Sequence, residues 1–184
     1  ITTPNYLHYK YIKFALENKI NVVCEKPLVL KSKNIKILEK LEKKFNKKVN
    51  VIFQLRLINE VLRLKKYINN NKKKKYKVTI RYITPRGDWY KKSWKNNLKK
   101  SGGIINNLGV HLFDLLIFLF GTSYRIKILM KKDNKVSGII KFNNCYANWF
   151  LSNDFSDLKK THNKQAHRVL FVNEKKINLT KKFE

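Results

Sequence analysis

Acidic residues, cysteine, proline and long apolar runs are all scarce in this chain. Its 184 residues include only two cysteines, Cys24 and Cys145, each inside an apolar, strand-like run. Cysteines so few and so spaced supply neither a disulfide framework nor a metal-binding pair, and imply buried thiols in a reducing, cytosolic setting. With three prolines and six glycines the chain is neither collagen-like nor of low complexity. The most apolar stretch, residues 108–120, is interrupted by His111 and Asp114 and falls short of the roughly 18 residues a membrane span requires. No membrane partner is expected. No signal peptide is read at the start, which turns polar soon after Ile1.

Twelve acids against 42 bases leave a formal net charge of +30. Such a footprint admits a non-catalytic, nucleic-acid-binding protein. Yet 36 of the bases are lysines and only six are arginines, the residue favoured for bidentate contacts to phosphates and bases. The lysines are spread over nearly every segment and accompanied by abundant Asn and Ile. This is the pattern of codon drift in an A/T-rich genome, so contact with nucleic acid is expected to be non-specific. The run NNNKKKK, residues 69–75, reads as a solvated loop.

What is present suffices for a folded chain: 43% of residues are apolar and 12% aromatic, enough for one good core or two small domains. Thr3 and Pro4 signal a helix start, with a hydroxyl cap and Pro at the first helical position. Leu7, Tyr11, Phe14 and Ala15 then share one face of a helix reaching about residue 18. A short strand is predicted at 22–24, a helix capped by Ser32 and carrying Ile35, Leu38, Leu41 and Phe45, and another short strand at 49–53. Strands alternating with helices predict a parallel sheet, here half of a doubly wound α/β domain over residues 1–57. Residues 58–184 read as an α+β domain with a mixed or largely antiparallel sheet. It comprises a basic helix at 59–68, a strand at 77–84, an irregular segment at 85–103 and a helix at 105–120 ended by Gly121. Strands follow at 125–131, 135–142, 145–151 and 168–172.

Three constellations can carry chemistry. Glu25-Lys26-Pro27 stands at the carboxyl end of a predicted sheet strand, where ligands bind in open α/β sheets. Lys26 there can hold a substrate hydroxyl, although a plain strand-to-loop turn reads the same way. On the second, GGIINNLGVHLFD, Asn107 and His111 share a helical face and Asp114 follows three residues on. His111 is either a general base or a structural histidine bonded to Asn or Asp. A metal held by His111 and Asp114 has no other ligand to support it, and none is expected. Thr3-Pro4-Asn5 with His8 forms the third, a polar turn at a helix start.

In order and context, TPNYLH, CEKPL and the GG-x3-N-x-G-x-H-x2-D helix resemble the Gfo/Idh/MocA oxidoreductases. Residues 86–121 and the segment NWFLSNDFSDL, residues 148–158, are similar to the branch that oxidises UDP-N-acetylglucosaminuronate at C3 in the synthesis of surface polysaccharides such as O-antigen. The resemblance implies a two-domain, cytoplasmic, homo-oligomeric dehydrogenase using NAD rather than NADP, with a UDP-sugar as substrate. A different sugar or inositol dehydrogenase of the same family is the alternative. It further implies a Gly-rich dinucleotide turn ahead of Ile1 and another strand and helix beyond Glu184. The chain then reads as part of a longer one, and without that turn should hold the dinucleotide poorly.

Carried over residue by residue, the resemblance makes Lys26 and His111 the catalytic pair. It implies a cis peptide bond between Lys26 and Pro27. Asn107 stands where many members carry aspartate, in keeping with the sugar-acid branch. Thr3, Pro4, Asn5, His8, Glu25, Lys26 and Gln54 would contact the cofactor. Lys26, Arg56, Arg86, Lys95, Asn107, His111 and Asp114 would contact the sugar, with Lys92 and Ser93 as further candidates for an anionic ligand.

Overall fold

A computed structural model describes residues 1–159, 161 and 165–180. The chain forms two compact units, Ile1–Phe53 with Asp88–Asn107, and Gln54–Gly87 with Leu108–Glu184.

In the first unit, a 3₁₀ turn at Asn5–Leu7 leads into helix α1 (His8–Glu17), strand β1 (Val22–Cys24), helix α2 (Lys33–Phe45) and strand β2 (Val49–Val51). The two strands pair in parallel, Val22 with Val49 and Cys24 with Val51, as expected for part of a Rossmann sheet. Ile12, Leu16, Val22, Cys24 and Leu38 form the core, with Leu28, Leu41 and Val49 packed against it. The buried stripe of α1 is therefore His8, Ile12 and Leu16, not the face predicted from Leu7, Tyr11, Phe14 and Ala15; Phe14 is exposed. A histidine belongs to the buried stripe, so hydropathy alone shifted the face. Ser32 stands at the N-cap of α2 without a side-chain cap bond, and Pro4, not Thr3, precedes the first helical turn.

The segment expected to be irregular is a series of short helical turns: α4 (Asp88–Lys92), a 3₁₀ turn at Trp94–Asn96 and α5 (Leu98–Ser101). Ser93 Oγ accepts from the Lys95 N–H, and Asn97 Oδ1 from the Lys100 N–H, which fixes the start of two of these turns. By its contacts this segment groups with residues 1–53. Asn5 Nδ2 donates to the Ser101 carbonyl at 3.2 Å, and the Tyr6 ring meets Trp94 edge-on.

The second unit contains α3 (Asn59–Asn70), β3 (Tyr76–Ile83), α6 (Val110–Phe120), β4 (Tyr124–Lys132), β5 (Lys135–Phe142), β6 (Cys145–Ser152), α7 (Phe155–Lys159), β7 (His167–Val172) and β8 (Lys175–Asn178). Its six strands lie in the order β4-β5-β6-β3-β7-β8, with β3 and β6 parallel and the other neighbours antiparallel. The sheet is thus mixed. Strand β8, absent from the sequence reading, returns along β7 through a turn in which Asn173 has φ of 52°. Leu112, Leu115, Leu116 and Leu119 of α6 and Val61, Leu64 and Ile68 of α3 are buried in this unit.

The apolar run of 108–120 extends farther than the sequence reading counted. With its flanks, Leu98–Phe120 is a 23-residue helical stretch, long and apolar enough by length and composition to cross a membrane. Left-handed Gly102 and Gly103, with φ of 77° and 71°, interrupt it, and 56% of its most apolar window is buried within the protein, as in a core helix.

Candidate functional site

Strand β1 buries Val22 and Cys24 and turns Val23 outward, so the chain leaves the sheet with Glu25 and Lys26 half-buried at its carboxyl end. The Lys26–Pro27 peptide bond is cis. Lys26 Nζ donates to the Asn107 carbonyl at 2.8 Å, which fixes the direction of the ammonium. That carbonyl belongs to a π-helical turn at Ile105–Gly109, a local widening frequent at functional sites. Gly102 and Gly103 lead into it. A Cβ on Gly102 would lie 2.3 Å from Asn106 Nδ2, so the glycine makes room for the Asn106 amide, which donates to the Gly102 carbonyl at 3.2 Å. The close approach at Gly102 is made by a neighbouring side chain. Cys24 is no nucleophile, because burial pushes its thiol up to about 11.

His8 is fully buried, with Nδ1 2.8 Å from the Pro27 carbonyl and Nε2 2.8 Å from the Thr3 carbonyl. Both ring nitrogens face backbone carbonyls of this chain, so the residue joins the Thr3-Pro4 turn to the turn that follows Lys26. Thr3 Oγ1, by contrast, is a buried hydroxyl with no hydrogen-bond partner among the described residues. Buried polar atoms are rarely left so.

In the second unit, His111 is buried at the start of α6 and stacks on Tyr82, with ring centroids 6.0 Å apart and planes 20° from parallel. The Arg168 guanidinium lies 4.9 Å from the Tyr82 ring centroid, and its Nε donates to Thr84 Oγ1 at 2.9 Å. Burial raises the Tyr82 phenol, opposed by the charges of Arg168 and Arg86. Tyr82, Thr84 and Arg168 were missed in sequence. The alternation of β3 marks Tyr82 as inward, but its cross-strand pairing with Arg168 is not legible there.

Arg56 and Asp114 are brought together, but with each other. Arg56 Nε donates to Asp114 Oδ2 at 2.8 Å and Nη2 to Oδ1, and this bonding raises the arginine's pKa. Arg56 also lies 5.2 Å from the Phe118 ring. The ion pair holds α6 to the turn at Gln54–Leu57. Gln54 Oε1 is buried without a hydrogen-bond partner among the described residues. No group of three His, Cys, Asp or Glu side chains able to hold a metal occurs among the described residues. The first unit thus gathers Thr3, Pro4, Asn5, Glu25, Lys26, Lys95 and Asn107. The second holds Gln54, Arg86 and His111.

Residues 1–53 match the NAD-binding Rossmann-fold profile of the Gfo/Idh/MocA oxidoreductase family, and residues 65–154 match its C-terminal α/β domain. The chain belongs to this family. The WlbA (WbpB) dehydrogenase of Thermus thermophilus, solved with NAD and UDP-GlcNAcA, is 34% identical and superposes with a TM-score of 0.89 over 98% of this chain and 59% of its own. The same enzyme solved with NAD and α-ketoglutarate gives 35% identity and a TM-score of 0.87, over 96% of this chain and 58% of its own. Among curated family proteins, glucose-6-phosphate 3-dehydrogenase of Bacillus subtilis (strain 168) is 25% identical over 138 residues, 73% of this chain and 39% of the relative. The chain therefore spans well under two thirds of these family members' lengths.

Proposed function

We propose that this chain carries the nicotinamide-side and sugar-side residues of an NAD-dependent dehydrogenase that oxidises the C3 hydroxyl of a UDP-linked N-acetyl sugar acid, a step in making surface polysaccharide. The observation that carries the reading is Lys26 at the carboxyl end of β1, its ammonium directed by the Asn107 carbonyl. The similarity to the Thermus enzyme bound to UDP-GlcNAcA supports the substrate class.

NAD suits the first unit, because the unpartnered Thr3 hydroxyl is a buried polar atom awaiting a ligand. Thr3, Pro4, Asn5 and Glu25 would hold its nicotinamide side. When bound, NAD supplies the hydride acceptor. The chain's own residues manage the hydroxyl: oxidation of a secondary alcohol removes the O–H proton as the C–H hydride leaves. Lys26 Nζ donates to the hydroxyl oxygen and orients it, and stabilises the negative charge that develops there. The imidazole of His111, held flat against Tyr82, is assigned the departing proton. Arg86 and Lys95 are assigned to the anionic parts of the ligand.

A substrate panel tests this. NADH formation should proceed with UDP-N-acetylglucosaminuronate and fall at least tenfold in kcat/KM with glucose 6-phosphate, glucose or inositol. A preference for any of the latter would replace the sugar-acid reading by another family activity.

A further inference from the structure

We infer that Tyr6, Trp89, Trp94, Lys95 and Lys100 form a platform for a nucleoside diphosphate, the part of the substrate remote from the oxidised carbon. The inference rests on the reading of the substrate as a nucleotide-linked sugar. In the first unit, Lys95 Nζ lies near two indoles, 5.3 Å from the Trp89 ring centroid and 5.7 Å from that of Trp94. Trp94 meets the Tyr6 ring at 6.3 Å, and Lys100 Nζ lies 5.6 Å from the same Tyr6 ring. Three aromatic rings and two ammonium groups thus adjoin one another in a continuous series of contacts.

Its exposure is not what packing alone dictates. Trp89 is 53% exposed and Tyr6 is exposed, although large aromatics gain most from burial. The platform is also built to stay in place. The Ser93 and Asn97 caps fix the turns that carry Lys95 and Lys100, and Asn5 ties the Tyr6 turn to Ser101. A lysine already held near two rings loses little freedom on meeting an anion. Exposed indole and phenol faces stack any nucleobase, while fixed ammonium groups beside them suit a diphosphate. A sugar alone would need neither. The platform adjoins the Thr3-Pro4-Asn5 turn through Tyr6, and its segment also supplies the Asn107 carbonyl that holds Lys26. A ligand whose sugar reaches Lys26 therefore has its nucleotide end on the same unit.

Calorimetric titration of the 184-residue chain tests it, with UDP, uridine, inorganic pyrophosphate, NAD and an oligothymidylate as separate probes. UDP should bind more tightly than uridine or pyrophosphate, because it engages both rings and ammonium groups. Trp89→Ala should weaken UDP about tenfold or more and leave pyrophosphate unchanged, whereas Trp89→Phe restores most of the loss. Lys95→Gln should weaken UDP and pyrophosphate alike, and excess NAD should not displace UDP. Equal affinity of Trp89→Ala and the parent chain for UDP would overturn the platform, as would displacement by NAD. Tighter, Trp89-dependent binding of oligothymidylate that survives physiological salt would overturn it in favour of a single-stranded nucleic-acid surface. Turnover separates this from the proposed function: oxidation of the sugar acid with KM unmoved by Trp89→Ala sinks the platform alone. Trp89-dependent UDP binding without oxidation keeps the platform and sinks the dehydrogenase reading.

Discussion

Replacing Lys26 by methionine is expected to lower the turnover of sugar oxidation by about 10²–10³-fold, the range associated with losing one donor to a developing negative charge. Methionine keeps the length and the apolar stem while removing every N–H. The Asn107 carbonyl loses a bond at a half-buried position, where water can replace the ammonium. Stability should therefore change little, and the thermal midpoint should move by no more than a few degrees. A large fall in turnover with an unchanged midpoint assigns Lys26 to the chemistry. Turnover near that of the parent protein would remove Lys26 from it.

His8→Phe should act in the opposite way, chiefly on stability. Phenylalanine fills a similar volume but offers nothing to the Thr3 and Pro27 carbonyls, which now face the buried imidazole at 2.8 Å each. A buried acceptor left without its donor costs about 1–3 kcal/mol. A carbonyl only accepts, so the cost falls on each carbonyl that loses a ring N–H. Denaturant unfolding should show the midpoint falling accordingly. Turnover should fall too, because the bridge from the Thr3 turn to the turn after Lys26 is gone. An unfolding midpoint equal to the parent's would show that the two carbonyls are satisfied without the ring.

The features read correctly in sequence are those carried by local pattern. Residues 135–142 alternate and form β5 over those residues; Val22 to Cys24 is short, apolar and followed by Glu-Lys-Pro, and forms β1 with Lys26 at its end. What was missed depends on partners distant along the chain. Asn5 and Ser101, or Arg56 and Asp114, are bonded across 96 and 58 residues, and nothing in their neighbourhoods announces it. The Arg56–Asp114 pair and the burial of His8 between two backbone carbonyls are of this kind. Strand β8 was overlooked because Lys175 and Lys176 open it, and only Ile177 is buried. The twin tryptophans of residues 89 and 94 were visible in sequence, but their shared lysine was not.

The most direct test of the central claim follows deuterium placed at C3 of UDP-N-acetylglucosaminuronate. The account predicts transfer of that deuterium to NAD, giving monodeuterated NADH and a 3-keto product, with turnover slowed where hydride transfer limits the rate. Undeuterated NADH, or loss of deuterium to water without NAD reduction, would contradict it.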